Sequence, residues 1–243
     1  MIDLHCHILP GVDDGALDIE DSLGLARQAA GDGIERVCAT PHIRHDHDVR
    51  IGEIAGRVEA VNARLRAEGL PVTVLGGGEV AETALEGLSE EELARVALGG
   101  GQWVLLEPAP GPLSDTLLAR VDHLAERGHR ALIAHPERHL SADMHERIAA
   151  LIAAGALVQA TADFFLREQT AAGMQALAEA GLVHVLGSDA HSSHGGRPLH
   201  MAEAFGALAG IEAVAPHIEW MRDTAPRAIV EGDEVALPFG PVV

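Results

Sequence analysis

Short apolar runs alternate with longer amphipathic segments along most of the chain. The short runs predict buried strands at residues 2–6, 35–39, 72–75, 103–106, 131–134, 157–159 and 184–186. The amphipathic segments predict helices at residues 18–30, 50–68, 113–127, 142–154, 168–180, 199–208 and 212–222. A glycine closely follows most of these helices, and glycine is the residue that most often ends a helix in the left-handed conformation.

This alternation of strands and helices is typical of a parallel α/β fold. The strand runs are almost continuously apolar, as expected for a sheet that helices cover on its outer face. We expect a single domain over residues 1–243. An open doubly wound sheet and a closed barrel both fit the order of elements, and the placement of polar residues distinguishes them.

Side chains with metal-ligand chemistry follow six of the seven predicted strands. In chain order they are His5, His7, Asp14, His42, Glu79, Glu107, His135, Asp189 and His191. An open sheet would concentrate such residues on the strands at its switch point, whereas a barrel brings all strand ends together. The even distribution therefore predicts closure of the seven strands into a TIM-like (β/α)7 barrel.

The same residues predict a metal centre. His5 and His7 are two positions apart on a strand, so their imidazoles share one face while Cys6 faces away. His-x-His alone is a weak signal, but so many buried ionisable groups together need a compensating charge. Mixed imidazole and carboxylate ligands suit Zn, Mn or Fe. The candidates are too many for one ion and fit two or three ions spaced roughly 3.5–4 Å apart.

Two arginines accompany the candidate ligands. Arg138 follows His135 closely, and Arg197 lies in the loop after His191. A planar guanidinium matches phosphate oxygens, so both are candidates for phosphate binding, with a surface ion pair as the alternative for each.

The composition excludes some classes of binding partner and indicates a cellular compartment. The formal charge of −20 argues against nucleic acid or an anionic membrane as the main partner, because both need basic patches. Cys6 and Cys38 are too few for a disulfide framework. The first residues lack the features of a signal peptide, and the apolar stretches are too short to span a bilayer. We therefore expect a cytoplasmic protein without membrane insertion.

Several motifs in order and spacing resemble the polymerase-and-histidinol-phosphatase (PHP) superfamily. The resemblance is carried by residues 1–15, by Thr40-Pro41-His42, by Ala134-His135-Pro136-Glu137-Arg138, by Ser188-Asp189-Ala190-His191 and by the segment that begins Gly196-Arg197-Pro198. More narrowly, these motifs are similar to those of the bacterial metal-dependent tyrosine-protein phosphatases of capsular and exopolysaccharide operons. The resemblance covers about residues 1–230.

The resemblance implies a distorted seven-stranded barrel, the PHP fold, with three metal ions that are often manganese. By motif, the first ion would take His5, His7, Glu79 and Asp189, the second Glu79, Glu107 and His135, and the third Asp14, His42 and His191. Arg138 and Arg197 would bind the phosphate. The implied substrate is phosphotyrosine in the Tyr-rich tail of a membrane-bound tyrosine kinase. The oligomeric state stays open.

Some residues keep alternative roles. Asp13 competes with Asp14 as a ligand, and Glu82 competes with Glu79. His45 and His47 belong either to a solvated loop or to the site, as an extra ligand or a substrate contact. His139, His194 and His200 have no assigned role in metal binding, and His194 or His200 would be the candidate proton donor.

Four other functions are compatible with parts of the pattern. A histidinol phosphatase would share the superfamily, metals and reaction. A cysteine phosphatase would use the Cys-x5-Arg match from Cys38 to Arg44, although Pro41 removes a backbone donor from that loop. An amidohydrolase often needs a carbamylated lysine, and this chain has no lysine. A metal-stabilised binding module would have lost ligands, and no ligand position is missing.

Overall fold

The computed structural model describes residues 1–241. Its strands are β1 Ile2–Cys6, β2 Arg36–Ala39, β3 His42–Ile43, β4 Thr73–Leu75, β5 Glu79–Ala81, β6 Trp103–Glu107, β7 Arg130–Ala134, β8 Leu157–Thr161 and β9 Val185–Gly187. Its α-helices are α1 Ile19–Gly31, α2 Ile54–Ala67, α3 Glu90–Val96, α4 Asp115–Glu126, α5 Met144–Ala153, α6 Ala171–Glu179, α7 Ala202–Ala209 and α8 Ala225–Glu231. The last two residues of the expected domain, 242 and 243, lie outside the described part.

All strand pairs are parallel, which confirms the predicted α/β class. The strands form a three-stranded sheet in the order β1-β2-β4 and a six-stranded sheet in the order β3-β5-β6-β7-β8-β9. The chain passes between the sheets three times: from β2 to β3 across Thr40-Pro41, from β3 to β4 through α2, and from β4 to β5 across residues 76–78. A single closed ladder of seven strands is not present within residues 1–241.

The outer strands of the two sheets nevertheless meet. Cys6 at the end of β1 forms an isolated parallel bridge with Ala190, just beyond β9. The His7 amide donates to the Ala190 carbonyl at 2.9 Å, and the Asp189 amide donates to the His5 carbonyl at 2.8 Å. These bonds bring the first and last strands of the chain side by side.

Each predicted strand exists, with ends that differ by at most two residues, but four short elements were missed. They are β3, β5, α3 and α8. The prediction of one α-helix over residues 212–222 is wrong. That segment has a turn, a 3₁₀ helix at Ala215–His217 and the start of a π-helix at Trp220–Thr224, and α8 then begins with Pro226 in its first turn.

The helices begin where the sequence provides caps. Asp18 accepts a hydrogen bond from the Asp21 amide at the start of α1, and Ser114 accepts one from the Leu117 amide at the start of α4. Ser89 and Glu92 form a reciprocal capping box on α3. In residues 1–241, no helix is both long and apolar enough to cross a bilayer.

Two apolar clusters fill the interior. The larger lies between the strands and the surrounding helices and includes Leu23, Val104 and Ile148. The smaller gathers residues of β1, β2 and β6–β9, such as Leu4 and Leu132, and is completed by side chains of α8. Because both sides of the strands are buried, the polar side chains on their carboxyl ends are held by rigid surroundings.

His184, just before β9, is a buried histidine that is not one of the candidate ligands. It is fully buried, and its Nδ1 accepts a hydrogen bond from the Val158 amide at 3.0 Å. The Phe239 ring stacks on it with a centroid distance of 5.7 Å. Burial lowers the pKa of His184 to about 4.

Acidification should weaken the fold through His184. Between its ordinary pKa of 6.5 and its folded pKa of about 4, the unfolded chain binds a proton that the folded chain excludes. The contribution of this residue is complete above pH 6.5 and falls as the pH drops towards 4, by up to about 3 kcal/mol. Thermal unfolding across this range should show a flatter pH dependence for His184→Gln than for the wild-type protein. His145→Gln, at an exposed position of α5, is the control, and an unchanged slope in H184Q would contradict the prediction.

Candidate metal centre

The nine candidate ligands come together at the carboxyl ends of the strands. Four lie on the strands themselves: His5 on β1, His42 on β3, Glu79 on β5 and Glu107 at the end of β6. The others follow strands in the chain: His7, Asp14, His135, Asp189 and His191. The sequence left His42 and Glu79 in loops, and their short strands fix both backbones by pairing His42 with Glu79.

Four donor atoms converge on one point. His5 Nε2 lies 3.3 Å from His7 Nε2 and 3.3 Å from Glu79 Oε2. His7 Nε2 lies 3.3 Å from the same Glu79 oxygen. Asp189 Oδ1 lies 3.4 Å from His5 Nε2 and 3.5 Å from His7 Nε2. Tetrahedral ligands about 2.1 Å from a metal ion lie about 3.4 Å from one another, so this set has the spacing of a metal site.

Glu79 connects this set to a second one. Its Oε1 lies 2.8 Å from His135 Nε2, and its Oε2 lies 2.9 Å from His42 Nδ1. Glu107 Oε2 is 4.0 Å from the same His42 nitrogen. Glu79 therefore contacts donors of both sets, because Oε2 faces His5, His7 and His42 while Oε1 faces His135.

A third set lies towards the surface. Asp14 Oδ1 is 3.4 Å from His42 Nε2 and 3.6 Å from His191 Nε2. The His191 ring stacks on His7 with a centroid distance of 3.9 Å. The Asp14 side chain is 59% exposed, whereas His42 is nearly buried. The third set is thus the open side of the cluster.

The sets overlap more than the resemblance implies. Donor atoms close enough to share an ion occur in four groups: His7, Asp14, His42 and His191; His5, His135 and Asp189; His5, His7 and Glu79; and His42, Glu79 and Glu107. His42 offers one ring nitrogen to the Glu79 group and the other to the Asp14 group.

Several buried donor atoms are placed to bind a cation and not to form hydrogen bonds with one another. Glu79 Oε2 and His42 Nδ1 are 2.9 Å apart, yet neither makes a hydrogen bond of acceptable angle within the described residues. Buried polar atoms are normally hydrogen-bonded. Lone pairs that point towards a shared space instead of along a hydrogen bond are what metal ligands require, so the donor set fits divalent ions.

The ionisable groups of the cluster shift the pKa values of their neighbours. Burial raises the pKa of Glu79, but the charge of His5 and the hydrogen bond from His135 outweigh it and hold the pKa well below its usual value. Burial lowers the pKa of His7, but its hydrogen bond with Asp13 and the nearby carboxylates of Asp189 and Glu79 raise it well above 6.5. The carboxylates are therefore ionised near neutral pH, as ligands of a divalent ion must be.

The pKa of His191 shifts in the opposite direction from those of His5 and His7. Burial and the nearby charge of His7 lower its pKa to about 4. Its Nδ1 contacts the Asp189 carbonyl at 2.9 Å, and its Nε2 faces Asp14. Its imidazole is neutral at physiological pH, which is the form that binds metals.

Two of the candidate ligands have a left-handed backbone. His135 has φ of 32° and Asp189 has φ of 51°, which is uncommon for residues other than glycine. In each case the side chain of a strand end is turned towards the donor cluster. Strain of this kind, held by the surrounding fold, is typical of functional positions.

Neighbouring residues orient the ligands. Asp13 Oδ2 accepts from His7 Nδ1 at 2.8 Å and from the His42 amide at 3.0 Å. Gln159 Oε1 contacts His5 Nδ1 at 2.9 Å. Asp13 thus orients His7, a candidate ligand, whereas Asp14 faces the donor atoms of His42 and His191. Of the two aspartates that the sequence left as alternatives, Asp14 is therefore the one placed among the candidate donors. Such partners fix the tautomer and the ring orientation of metal-binding histidines.

Asp3 and Gln159 were not identified from the sequence as parts of the site. Buried Asp3 accepts hydrogen bonds from the Ser188 amide and hydroxyl and from the His5 amide, at 3.0, 2.6 and 3.1 Å. The available signal was a polar residue inside an apolar strand, Asp3 in β1 and Gln159 in β8. Asp3 joins the ends of β1 and β9, and so supports two ligand-bearing segments together.

Both candidate arginines contact Asp189. Arg138 Nη2 donates to Asp189 Oδ2, and also lies 3.5 Å from Thr161 Oγ1. Arg197 Nη2 lies 3.1 Å from the same Asp189 oxygen, and its Nε donates to the Asp189 carbonyl at 2.7 Å. The two guanidinium groups are partly exposed and lie at the edge of the donor cluster, where an anion could reach them.

Other candidates lie apart from the donors. Glu82 Oε2 accepts from the Ala109 amide at 2.9 Å, and His139 Nδ1 contacts the Gly111 carbonyl at 2.7 Å. His45 and His194 are exposed, and His200 lies 3.9 Å from Asp32. His47 comes nearest, with its ring 5.0 Å from that of His42.

Replacing Asp13 with Asn should weaken metal binding without unfolding the protein. The variant loses the charged acceptor that orients His7, and loss of such a partner typically costs 10- to 100-fold in affinity. Titration of metal-stripped protein with Mn²⁺ or Zn²⁺ measures the change, and circular dichroism checks the fold. Asp48→Asn, at an exposed position of a nearby loop, should bind as the wild-type protein does. Equal affinities for D13N and D48N would contradict the role given to Asp13.

Comparison with known proteins agrees with this geometry. Residues 1–212 match the family described as "Capsular polysaccharide synthesis, CpsB/CapC". The tyrosine-protein phosphatase YwqE of Bacillus subtilis is 35% identical over 219 residues, covering 86% of this chain and 84% of that protein. The tyrosine-protein phosphatase CpsB of Streptococcus pneumoniae is 28% identical over 224 residues, covering 86% of this chain and 90% of that protein.

Solved structures show the same relationship. A chain from the crystal structures of YwqE and CpsB, described as unique metal-dependent tyrosine phosphatases, superposes with a TM-score of 0.84 at 30% identity, and each chain is covered completely. N-isopropylammelide isopropylaminohydrolase of Burkholderia multivorans, at 16% identity and a TM-score of 0.54 over 95% of this chain and 74% of its own, shares the fold alone. The chain belongs to the CpsB/CapC family of capsular polysaccharide synthesis.

Proposed function

We propose that this protein is a metal-dependent protein-tyrosine phosphatase. The observation that carries the proposal is the convergence of three overlapping histidine and carboxylate donor sets with two arginines that both contact Asp189. The activity printed for the relatives YwqE and CpsB supports the same reaction for this chain. Metal ions and guanidinium groups side by side are the groups that phosphoryl transfer needs.

We assign two or three divalent ions to the cluster, with manganese first and iron or zinc as alternatives. The proposed first ion is held by His5, His7, Glu79 and Asp189, the second by Glu79, Glu107 and His135, and the third by Asp14, His42 and His191. Imidazole with carboxylate is a donor set common to these three metals. When bound, the ions supply activation of water and neutralisation of phosphoryl charge.

The residues of the chain position the phosphate. Arg138 and Arg197 both contact Asp189 and are partly exposed, so their remaining N–H groups are available to the equatorial phosphoryl oxygens. Their fixed charge opposes the negative charge that develops during transfer. A phenolate leaving group is already stable, so it needs little help from a proton donor.

We also propose a setting for the activity. The phosphotyrosine substrate would lie in the Tyr-rich tail of a membrane tyrosine kinase, and the chain would act in the cytoplasm as one domain over residues 1–243. The free, buried thiols of Cys6 and Cys38 fit a reducing compartment. The continuity of β2 with β3 and of β4 with β5 supports a reading of the strands as a distorted seven-stranded barrel.

The structure disfavours the cysteine mechanism. Cys38 is fully buried in β2, and burial raises the pKa of its thiol far above its usual value, so it is not a nucleophile. Arg44 pairs with Asp46 at 2.8 Å and with Glu107 at 3.4 Å. It therefore does not close a phosphate-binding loop around Cys38.

Hydrolysis of a phosphotyrosyl peptide should stop on chelation and return with Mn²⁺. The bound ions would activate water and neutralise the charge of the phosphoryl group, so their removal should abolish nearly all of the activity. A coupled phosphate-release assay measures it, with histidinol phosphate as the competing substrate. Undiminished activity in metal-free protein would reject the proposal, and preference for histidinol phosphate would reassign the substrate.

Removing either arginine should slow turnover while leaving bound metal in place. Arg138→Lys and Arg197→Lys each lose the bidentate fork, and kcat/KM should fall roughly 10²- to 10³-fold, the usual effect of removing one transition-state donor. Arg95→Lys, at an exposed ion pair of α3, is the matched control. Elemental analysis verifies metal content, and wild-type rates in both variants would exclude the arginines from catalysis.

The Cys38→Ser variant should retain wild-type turnover, because the thiol is buried away from the donor cluster. The same phosphopeptide assay measures this. A loss of turnover in a folded C38S protein would favour a cysteine nucleophile instead.

A further inference from the structure

The strand β8 contributes no donor to the candidate metal cluster, and the turn that follows it carries two aromatic residues. The 3₁₀ turn Ala162–Phe165 follows β8 directly. Ala162 and Phe165 are buried, at 1% and 6% exposure, whereas Phe164 is only partly buried. A 3₁₀ helix has three residues per turn, so Ala162 and Phe165 share one side and Phe164 projects from another.

The Phe164 ring lies close to two arginines. The guanidinium carbon of Arg138 is 5.7 Å from the ring centroid, and that of Arg167 is 5.0 Å away. Arg167 is held by an ion pair with Asp163 in the same turn. The Thr170 hydroxyl donates to the Phe164 carbonyl at 2.6 Å. The ring is therefore fixed beside the arginine that we assign to phosphate binding.

Aromatic side chains are scarce in this chain, and their distribution is uneven. The sequence has four Phe, two Trp and no Tyr, all within the described residues. Three of the others, Trp103, Phe165 and Phe205, are buried in the core. Trp220 and Phe239 pack on each other with centroids 5.5 Å apart. Phe164 is thus the partly exposed aromatic ring that the fold places next to the donor cluster.

We propose that Phe164 determines specificity by packing against the phenyl ring of the substrate while Arg138 holds its phosphate. The proposal rests on the phosphatase function above and adds to it a reason for choosing phosphotyrosine. In phosphotyrosine the bridging oxygen is bonded directly to the ring, so the surface that receives the ring must adjoin the phosphate-binding arginine. Aromatic rings pair with centroids 4.5–7 Å apart, and a phosphoserine side chain has no ring to place there.

The test compares an aryl substrate with a bare phosphate. For Phe164→Ala, kcat/KM on a phosphotyrosyl peptide should fall about 3- to 10-fold, mainly through KM. Competitive inhibition by inorganic phosphate should keep its wild-type constant, because phosphate meets Arg138 and not the ring. Phe164→Tyr should restore peptide turnover, and Phe164→Leu should fall between. Phe239→Leu, which changes an aromatic residue packed against Trp220, is the matched control.

Each outcome has a distinct meaning. Parallel weakening of peptide and phosphate would show that Phe164 only positions Arg138, and would overturn the proposal. Unchanged peptide kinetics in a folded F164A protein would overturn it as well, while leaving the phosphatase function intact. Absence of turnover by the metal-loaded wild-type protein on any phosphate ester would reject the proposed function and the role of Phe164 with it. Thermal unfolding of each variant verifies the fold.

Discussion

The structure depends on one buried carboxylate, that of Glu79. It is fully buried on β5, and its two oxygens contact His5, His7, His42 and His135. An ionised carboxylate in an apolar interior is very unfavourable unless cations or hydrogen bonds surround it. Because His5 is on β1 and Glu79 on β5, this interaction also joins the three-stranded sheet to the six-stranded sheet.

Asp189 is a second buried carboxylate of the cluster. One of its oxygens faces the imidazoles of His5 and His7, and the other receives both Arg138 and Arg197. The same carboxylate therefore separates a zone of metal donors from a zone of guanidinium groups. Its left-handed backbone is maintained by the hydrogen bond that its amide donates to the His5 carbonyl and by the one that its carbonyl accepts from Arg197 Nε.

The sequence predicted the strands and most ligand-type residues because both follow from simple rules. Apolar runs identify buried strands, and parallel strands place their ends at one edge. It missed β3 and β5, because they have only two and three residues and follow Pro41 and a run of glycines. These breaks in the ladder also explain why the strands divide into two sheets and not one closed barrel. The roles of Asp13, Asp3 and Gln159 depend on partners distant in the chain, which no local pattern specifies.

The hydrogen bonds between the end of β1 and the segment after β9 have a consequence for biosynthesis. His5 and His7 leave the ribosome first among the donors, whereas Asp189 and His191 come almost two hundred residues later. Until the later segment is made, the earliest imidazoles have no backbone partner at Ala190 and no Asp189 carboxylate beside them. The complete cluster can therefore form only after the segment that carries Asp189 and His191 has been translated.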